Sequence, residues 1–139
     1  MGSRRKKSPA RPKANVKLPS IAARLLKRLH GSLSLDLRHS DYPVDVEEFY
    51  WATLGHCYIA SEAIYYLWAK KAGYVPYVLK HDFGTHWWLV HKDSGAILDP
   101  TEPQMDGDPF PYHEGRRATF LTTKPSRRAQ ELIRRMQRR

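Results

Sequence analysis

Cys57, the only thiol of the chain, opens the apolar run GHCYIASEAIYYLWAKKAG; His86 lies early in THWWLVHK, and Asp99 closes AILD. Together these three side-chain types can perform acyl transfer. A thiolate attacks a carbonyl carbon, an imidazole takes the thiol proton and later delivers it to the leaving group, and a carboxylate on the second ring nitrogen fixes the tautomer. Each also has an ordinary structural use: a small buried apolar group for Cys57, a backbone-bonded strand end for His86, a turn initiator before Pro100 for Asp99. What raises them above that use is their order, 29 and then 13 residues apart, at a helix start, on a strand and on the next strand.

The elements that must position them are legible from period and punctuation. Residues 57–72 carry apolar side chains on nearly every face and end at Lys70, Lys71 and Gly73, which predicts a central buried helix. The first turn of a helix favours an anion, so the location predicts a thiol inclined to ionise. YVPYVLKH over 74–81, THWWLVHK and AILD then read as an antiparallel meander with a tight DSG turn, Pro76 favouring an edge or a later strand start. Alternation sets His86, Trp88 and Val90 on one face and Trp87, Leu89 and His91 on the other. With the Trp88 face packed on the cysteine helix, His86 meets Cys57 at the rim of that contact.

GHCYIASEAIYYLWAKKAGYVPYVL followed by HWWLVHKDSGAILDPT resembles the core of the transglutaminase-like superfamily within the papain-like cysteine enzymes. The resemblance covers about residues 55–101: a Gly-x-Cys at a helix start, a His-x-Trp segment on a strand, and an Asp-Pro on the strand after it. It implies an α+β fold, a central helix packed on a small antiparallel sheet, in a minimal version. It also implies Cys57 as nucleophile, His86 as base and Asp99 as orienting acid. The expected activity is that of a thiol-dependent hydrolase or acyltransferase on an amide, ester or thioester, as in thiol proteases and crosslinking enzymes. Backbone N–H groups at the helix start would hold the oxyanion, with Trp51 or His56 as side-chain donors. Tyr112 and His113, in the Pro-rich loop after Asp99, are expected at a substrate rim.

The remainder of the chain supplies setting and a rival. The net charge of +10 divides into +10 over residues 1–30, −7 over 31–113 and +7 over 114–139. An acidic body with basic ends argues against a globular surface devoted to nucleic acid, while residues 1–30 and 114–139 offer themselves to polyanions. The rival function is therefore a noncatalytic nucleic-acid-associated protein built around a degenerate enzyme fold. Residues 1–19 are expected to be a disordered basic tail, and 20–139 a single domain with a basic C-terminal helix starting near Pro125 or Ser126. A helix capped by Ser20 and closed by Gly31, a short helix over 46–55 and a short strand in RATFL complete the reading.

No apolar run approaches a membrane span, and the basic N-terminus is not followed by a signal-like apolar stretch. One cysteine fits a reducing compartment, so the expected location is the cytoplasm. His56, His81, Asp82, His91 and His113 raise the question of zinc, but no close-spaced ligand pair supports it, and no metal or cofactor is expected. The strand aromatics are expected to be core rather than a base-stacking platform.

Overall fold

The computed structural model of the protein describes residues 12–33, 56–81, 84–102 and 110–138. Among the described residues, the α-helices α1 (Ser20–Ser32), α2 (Cys57–Ile64) and α3 (Arg127–Gln137) pack with a four-stranded antiparallel sheet of order β3-β2-β1-β4. The strands are β1 (Tyr74–His81), β2 (Gly84–His91), β3 (Ile97–Leu98) and β4 (Arg116–Arg117). The protein is thus α+β, with helices against a small antiparallel sheet. The short helix expected over 46–55 lies outside the described residues.

The helices form because apolar side chains recur at helical spacing. Ala22, Leu26 and Leu29 of α1 and Ala129, Leu132 and Met136 of α3 are buried stripes, and the charged positions between them face outward. Ser126 caps α3, its hydroxyl accepting from the Ala129 N–H at 3.3 Å. At α1 the capping expectation is corrected. Pro19 occupies the cap position, Ser20 is already helical, and the helix runs past Gly31 because Ser32 is buried and donates its hydroxyl to the Arg28 carbonyl at 2.8 Å.

In α2 seven of eight residues are buried, including two polar ones. Glu62 satisfies its carboxylate on α3, accepting from the Ser126 N–H (2.8 Å) and hydroxyl (2.6 Å), and so ties the two helices together. After Ile64 the helix widens into a π-turn over Tyr65–Ala69, with the Lys70 N–H bonded to the Tyr65 carbonyl. Gly73, at φ +94°, then turns the chain into β1.

Pro76 sits well inside β1, which is an inner strand. Its carbonyl accepts from Ala118 N–H on the β4 side (3.0 Å), so the donor that proline lacks also faces the short β4 and the ladder to β2 loses nothing. The strand expected in RATFL, residues 117–121, instead spans Arg116–Arg117 and overlaps it only at Arg117.

The two sheet faces bury different things. Leu89 and Leu98 join α1, α2 and α3 in an aliphatic core with Ile59, Ile64 and Leu132. On the other face Trp88 and Ile97 pack with Ala14, Phe110 and Tyr112. The expectation that the Trp88 face meets the cysteine helix is therefore corrected: α2 covers the Leu89 face. Both faces of β2 are apolar, so alternation defines the two sets without deciding which one the helix takes.

The tail expectation is corrected as well. Within residues 12–19, Ala14 is buried and bridges Ile97 in parallel, and Asn15, at φ +58°, is bonded to Asp99. An Asn tolerates that left-handed backbone and supplies both a donor and an acceptor to the chain it meets.

Candidate active site

The shortness of β3 creates the site. It pairs with Leu89 and Val90, so it stops short of the Thr85–Trp88 stretch of β2. α2 lies along this stretch. Cys57 and Ser61, four residues apart and hence on one helix face, meet two of its outward carbonyls: Cys57 Sγ lies 3.3 Å from Thr85 O, and Ser61 Oγ donates to Trp87 O at 3.2 Å. The thiol is thereby held in the plane of the sheet, beside the strand residue that precedes His86.

His86 projects to the Trp88 face. Its ring stacks on Trp88 (5.7 Å between centroids, 22° between planes) and meets the edge of Phe110 at 4.8 Å. Nε2 lies 2.6 Å from Asp99 Oδ2, a short charge-assisted contact between two side chains almost wholly withdrawn from water. Nε2 is committed to the carboxylate, and Cys57 is near enough to act on the imidazole electrostatically. Burial by itself would lower the imidazole pKa; the charge and hydrogen bond of Asp99, and then Cys57, outweigh it and raise it from 6.5 to about 10.

Asp99 is held from every side. Tyr112 donates its hydroxyl to Oδ2 at 2.8 Å, and the Thr101 N–H donates to Oδ1 at 3.1 Å. Asn15 brackets the main chain, donating from Nδ2 to the Asp99 carbonyl and accepting the Asp99 N–H at Oδ1, both at 2.9 Å. His30 of α1 reaches the next carbonyl, Pro100 O, at 2.6 Å. Burial and the Asp99 charge push the Tyr112 phenol far above its ordinary range, so it stays a donor to the carboxylate.

The structure therefore joins His86 to Asp99, sets the Cys57 sulfur against the Thr85 carbonyl next to His86, and buries Tyr112, expected at a rim, behind Asp99. His113, one residue on, is exposed on the 3-10 turn Tyr112–Glu114. His56 is fully buried at the position before α2 and makes no side-chain cap; Trp51 lies outside the described residues. Among the described residues no group of three His, Cys, Asp or Glu side chains is arranged to hold a metal ion.

Two positioning groups escaped the sequence reading, Asn15 and the hydroxyl of Tyr112. Asn15 lies 84 residues from its partner and carries no spacing signal; Tyr112, in an acidic Pro-rich loop 13 residues after Asp99, was placed near the site but on the wrong side of it. No described helix is long and apolar enough to cross a membrane. Comparison of the chain with protein-family models, curated proteins and solved structures finds no match.

Proposed function

We propose that the chain is a thiol-dependent hydrolase or acyltransferase acting on an amide, ester or thioester, built on a minimal transglutaminase-like version of the papain-like core. The observation that carries this reading is the buried 2.6 Å pair of His86 and Asp99, with the Cys57 sulfur against the carbonyl of Thr85, the residue before His86. A structural histidine gains little from a buried carboxylate, whereas a base that must change protonation near a nucleophile needs one.

The Cys57 sulfur rests against the Thr85 carbonyl. The proton it sheds passes to His86 in the fraction whose imidazole is neutral, a minority at neutral pH because the pKa is raised to about 10, and Asp99 stabilises the imidazolium that results. The sulfur then attacks the substrate carbonyl carbon. Backbone N–H groups of the first turn of α2, Cys57 and Tyr58, have no carbonyl one turn back within the helix and are the nearest donors for the oxyanion. His86 returns its proton to the leaving group, and water or an amine attacks the acyl-cysteine with His86 again as base. The side-chain oxyanion donor remains assigned to Trp51 or His56, and a lone cysteine fits a reducing compartment such as the cytoplasm.

The test is intact-mass analysis after incubation with a panel of amides, esters and thioesters. An acyl adduct confined to Cys57, absent in Cys57→Ala and slowed in His86→Ala, is the expected result. A panel that leaves no adduct, on a thiol that alkylates equally fast with and without His86, would overturn it.

One observation favours a second reading. α1 and α3 pack on each other, so the exposed Arg24, Lys27 and Arg28 share a helical layer with Arg127, Arg128 and Arg134. As a noncatalytic polyanion-binding protein, the chain would bind a heparin or RNA homopolymer with steep salt dependence and be indifferent to Cys57→Ala.

A further inference from the structure

A groove of about 440 Å³ lies across the sheet on the face that carries Thr85 and Trp87. Its lining follows from the register. Arg116 pairs with Val78 and Val78 with Trp87, making one row across β4, β1 and β2; Lys80 pairs with Thr85 in the next. Ala118 and Thr119 close the β4 side. Facing side chains of paired residues share a sheet face, so Lys80 and Arg116 look into the same trough as the apolar Val78 and Trp87.

The two ends of this trough differ chemically. At the β2 end is Thr85, whose carbonyl contacts the Cys57 sulfur, with Trp87 braced edge-on by Tyr58, the residue after Cys57. Two exposed cations flank the trough, Lys80 on β1 opposite Thr85 and Arg116 on β4; neither makes an ion pair among the described residues, and no Asp or Glu lines the groove. Strands are spaced about 4.8 Å apart, so crossing from β4 to β2 takes about 10 Å, which a short acyl chain covers together with the long Lys80 and Arg116 side chains reaching back toward β2.

On the strength of the proposed thiol chemistry, we propose that this groove selects the acyl donor: a short chain whose carbonyl lies at Cys57 and whose far end carries an anionic group, carboxylate or phosphoryl, held by Lys80 and Arg116. The apolar floor of Val78 and Trp87 takes the methylene segment. Acylation forms the Cys57 Sγ–C(acyl) bond as the bond from the acyl carbon to the leaving group breaks, and the proton taken by His86 departs with that group. Water then cleaves the acyl-cysteine, restoring the thiol and releasing the free acid.

The probes are the thiophenyl monothioester of glutaric acid, its 4-phosphonobutanoyl counterpart and the neutral thiophenyl pentanoate, with Cys57 acylation followed by intact mass. An anion-ended probe should acylate about tenfold faster than the neutral one. This preference should shrink with added salt and vanish in the double variant Lys80→Gln/Arg116→Gln. Whichever anionic probe is faster tells carboxylate from phosphoryl. Equal rates for charged and neutral probes, or a preference that survives in the double variant, would overturn the proposal.

A second measurement separates it from the thiol reading. Binding of free glutarate and of inorganic phosphate to the full-length Cys57→Ala protein is followed by NMR shifts at Lys80, Thr85 and Arg116. Shifts lost in the double variant, with no acylation by any thioester, would keep the anion groove and sink the nucleophile. No shift from either anion would sink the groove, whatever Cys57 does.

Discussion

The two faces of the sheet are built on opposite principles. Toward α1, α2 and α3 the fully buried side chains are mostly aliphatic, with aromatics at the margin, and the polar members, Ser61 and Glu62, serve to join one element to another. Toward Phe110 and Tyr112 the interior is aromatic and polar, and its hydrogen bonds converge on one carboxylate, Asp99. The first face gains its stability from removing apolar area from water; the second spends part of that gain to hold an ionic pair out of water. Cys57 is the point where they meet, rooted in the helical layer while its sulfur reaches the strand edge beside His86. If the proposed thiol chemistry holds, the difference predicts that stability and reactivity are separable, which substitutions can check.

The largest effect should come from the helical face. Leu132→Ala removes a fully buried side chain from the aliphatic core and should destabilise the protein by about 2–5 kcal/mol in chemical denaturation, without changing how fast the folded protein is alkylated at Cys57. A matching fall in the alkylation rate of the folded protein would erase the distinction between the faces.

Gly115→Ala should do the converse. A Cβ at Gly115 would lie 2.3 Å from the ring of Trp88, a fully buried side chain that also stacks on His86. The ring has to move, at a cost of about 1–3 kcal/mol, and the imidazole it supports moves with it. Slower Cys57 alkylation than in Leu132→Ala, despite the smaller loss of stability, is expected.

The pH dependence sharpens the comparison further. The pKa of His86 is raised on folding from 6.5 to about 10, so the folded state binds the proton more tightly. Its contribution to stability is fully present below about pH 6.5 and is lost as pH rises toward 10, with a slope of at most about 1.4 kcal/mol per pH unit. Asp99→Asn should flatten this part of the stability curve, measured by denaturation between pH 6 and 10; a slope unaltered by the substitution would assign it to other groups. The smallest effect is expected from Tyr112→Phe, which takes one donor from Asp99 and should cost about 1 kcal/mol, with a lower imidazole-shift midpoint for His86 or a higher one deciding whether the hydroxyl weakens or strengthens the pair.

Much of the architecture was legible because its determinants are local. The α2 start, the period change at Tyr74, the DSG turn and the hairpin that returns Asp99 toward His86 depend on residues within a few positions of each other. What escaped was long-range or two-sided. The strand β2 offers Trp87 and Leu89 on one face and Trp88 on the other, so either face was fit to receive a helix. Pro76 read as an edge residue because the missing donor was visible in the sequence and the short strand it faces was not. Asn15 is ordered by a partner 84 residues away, within a stretch whose proline and charge content predicted a tail. In the candidate site, the two residues joined by the hairpin were found from spacing, and the tyrosine behind them only approximately.

The central claim is that Cys57 and His86 act as one chemical unit oriented by Asp99. The most direct measurement is the initial rate of Cys57 alkylation by iodoacetamide at pH 7, located by peptide mass spectrometry, in the unaltered protein, His86→Ala and Asp99→Asn, with folding verified by circular dichroism. The account predicts a fall of about tenfold or more in His86→Ala and a smaller fall in Asp99→Asn. Equal rates in all three folded proteins would contradict it and leave Cys57 as a buried thiol at the end of a helix.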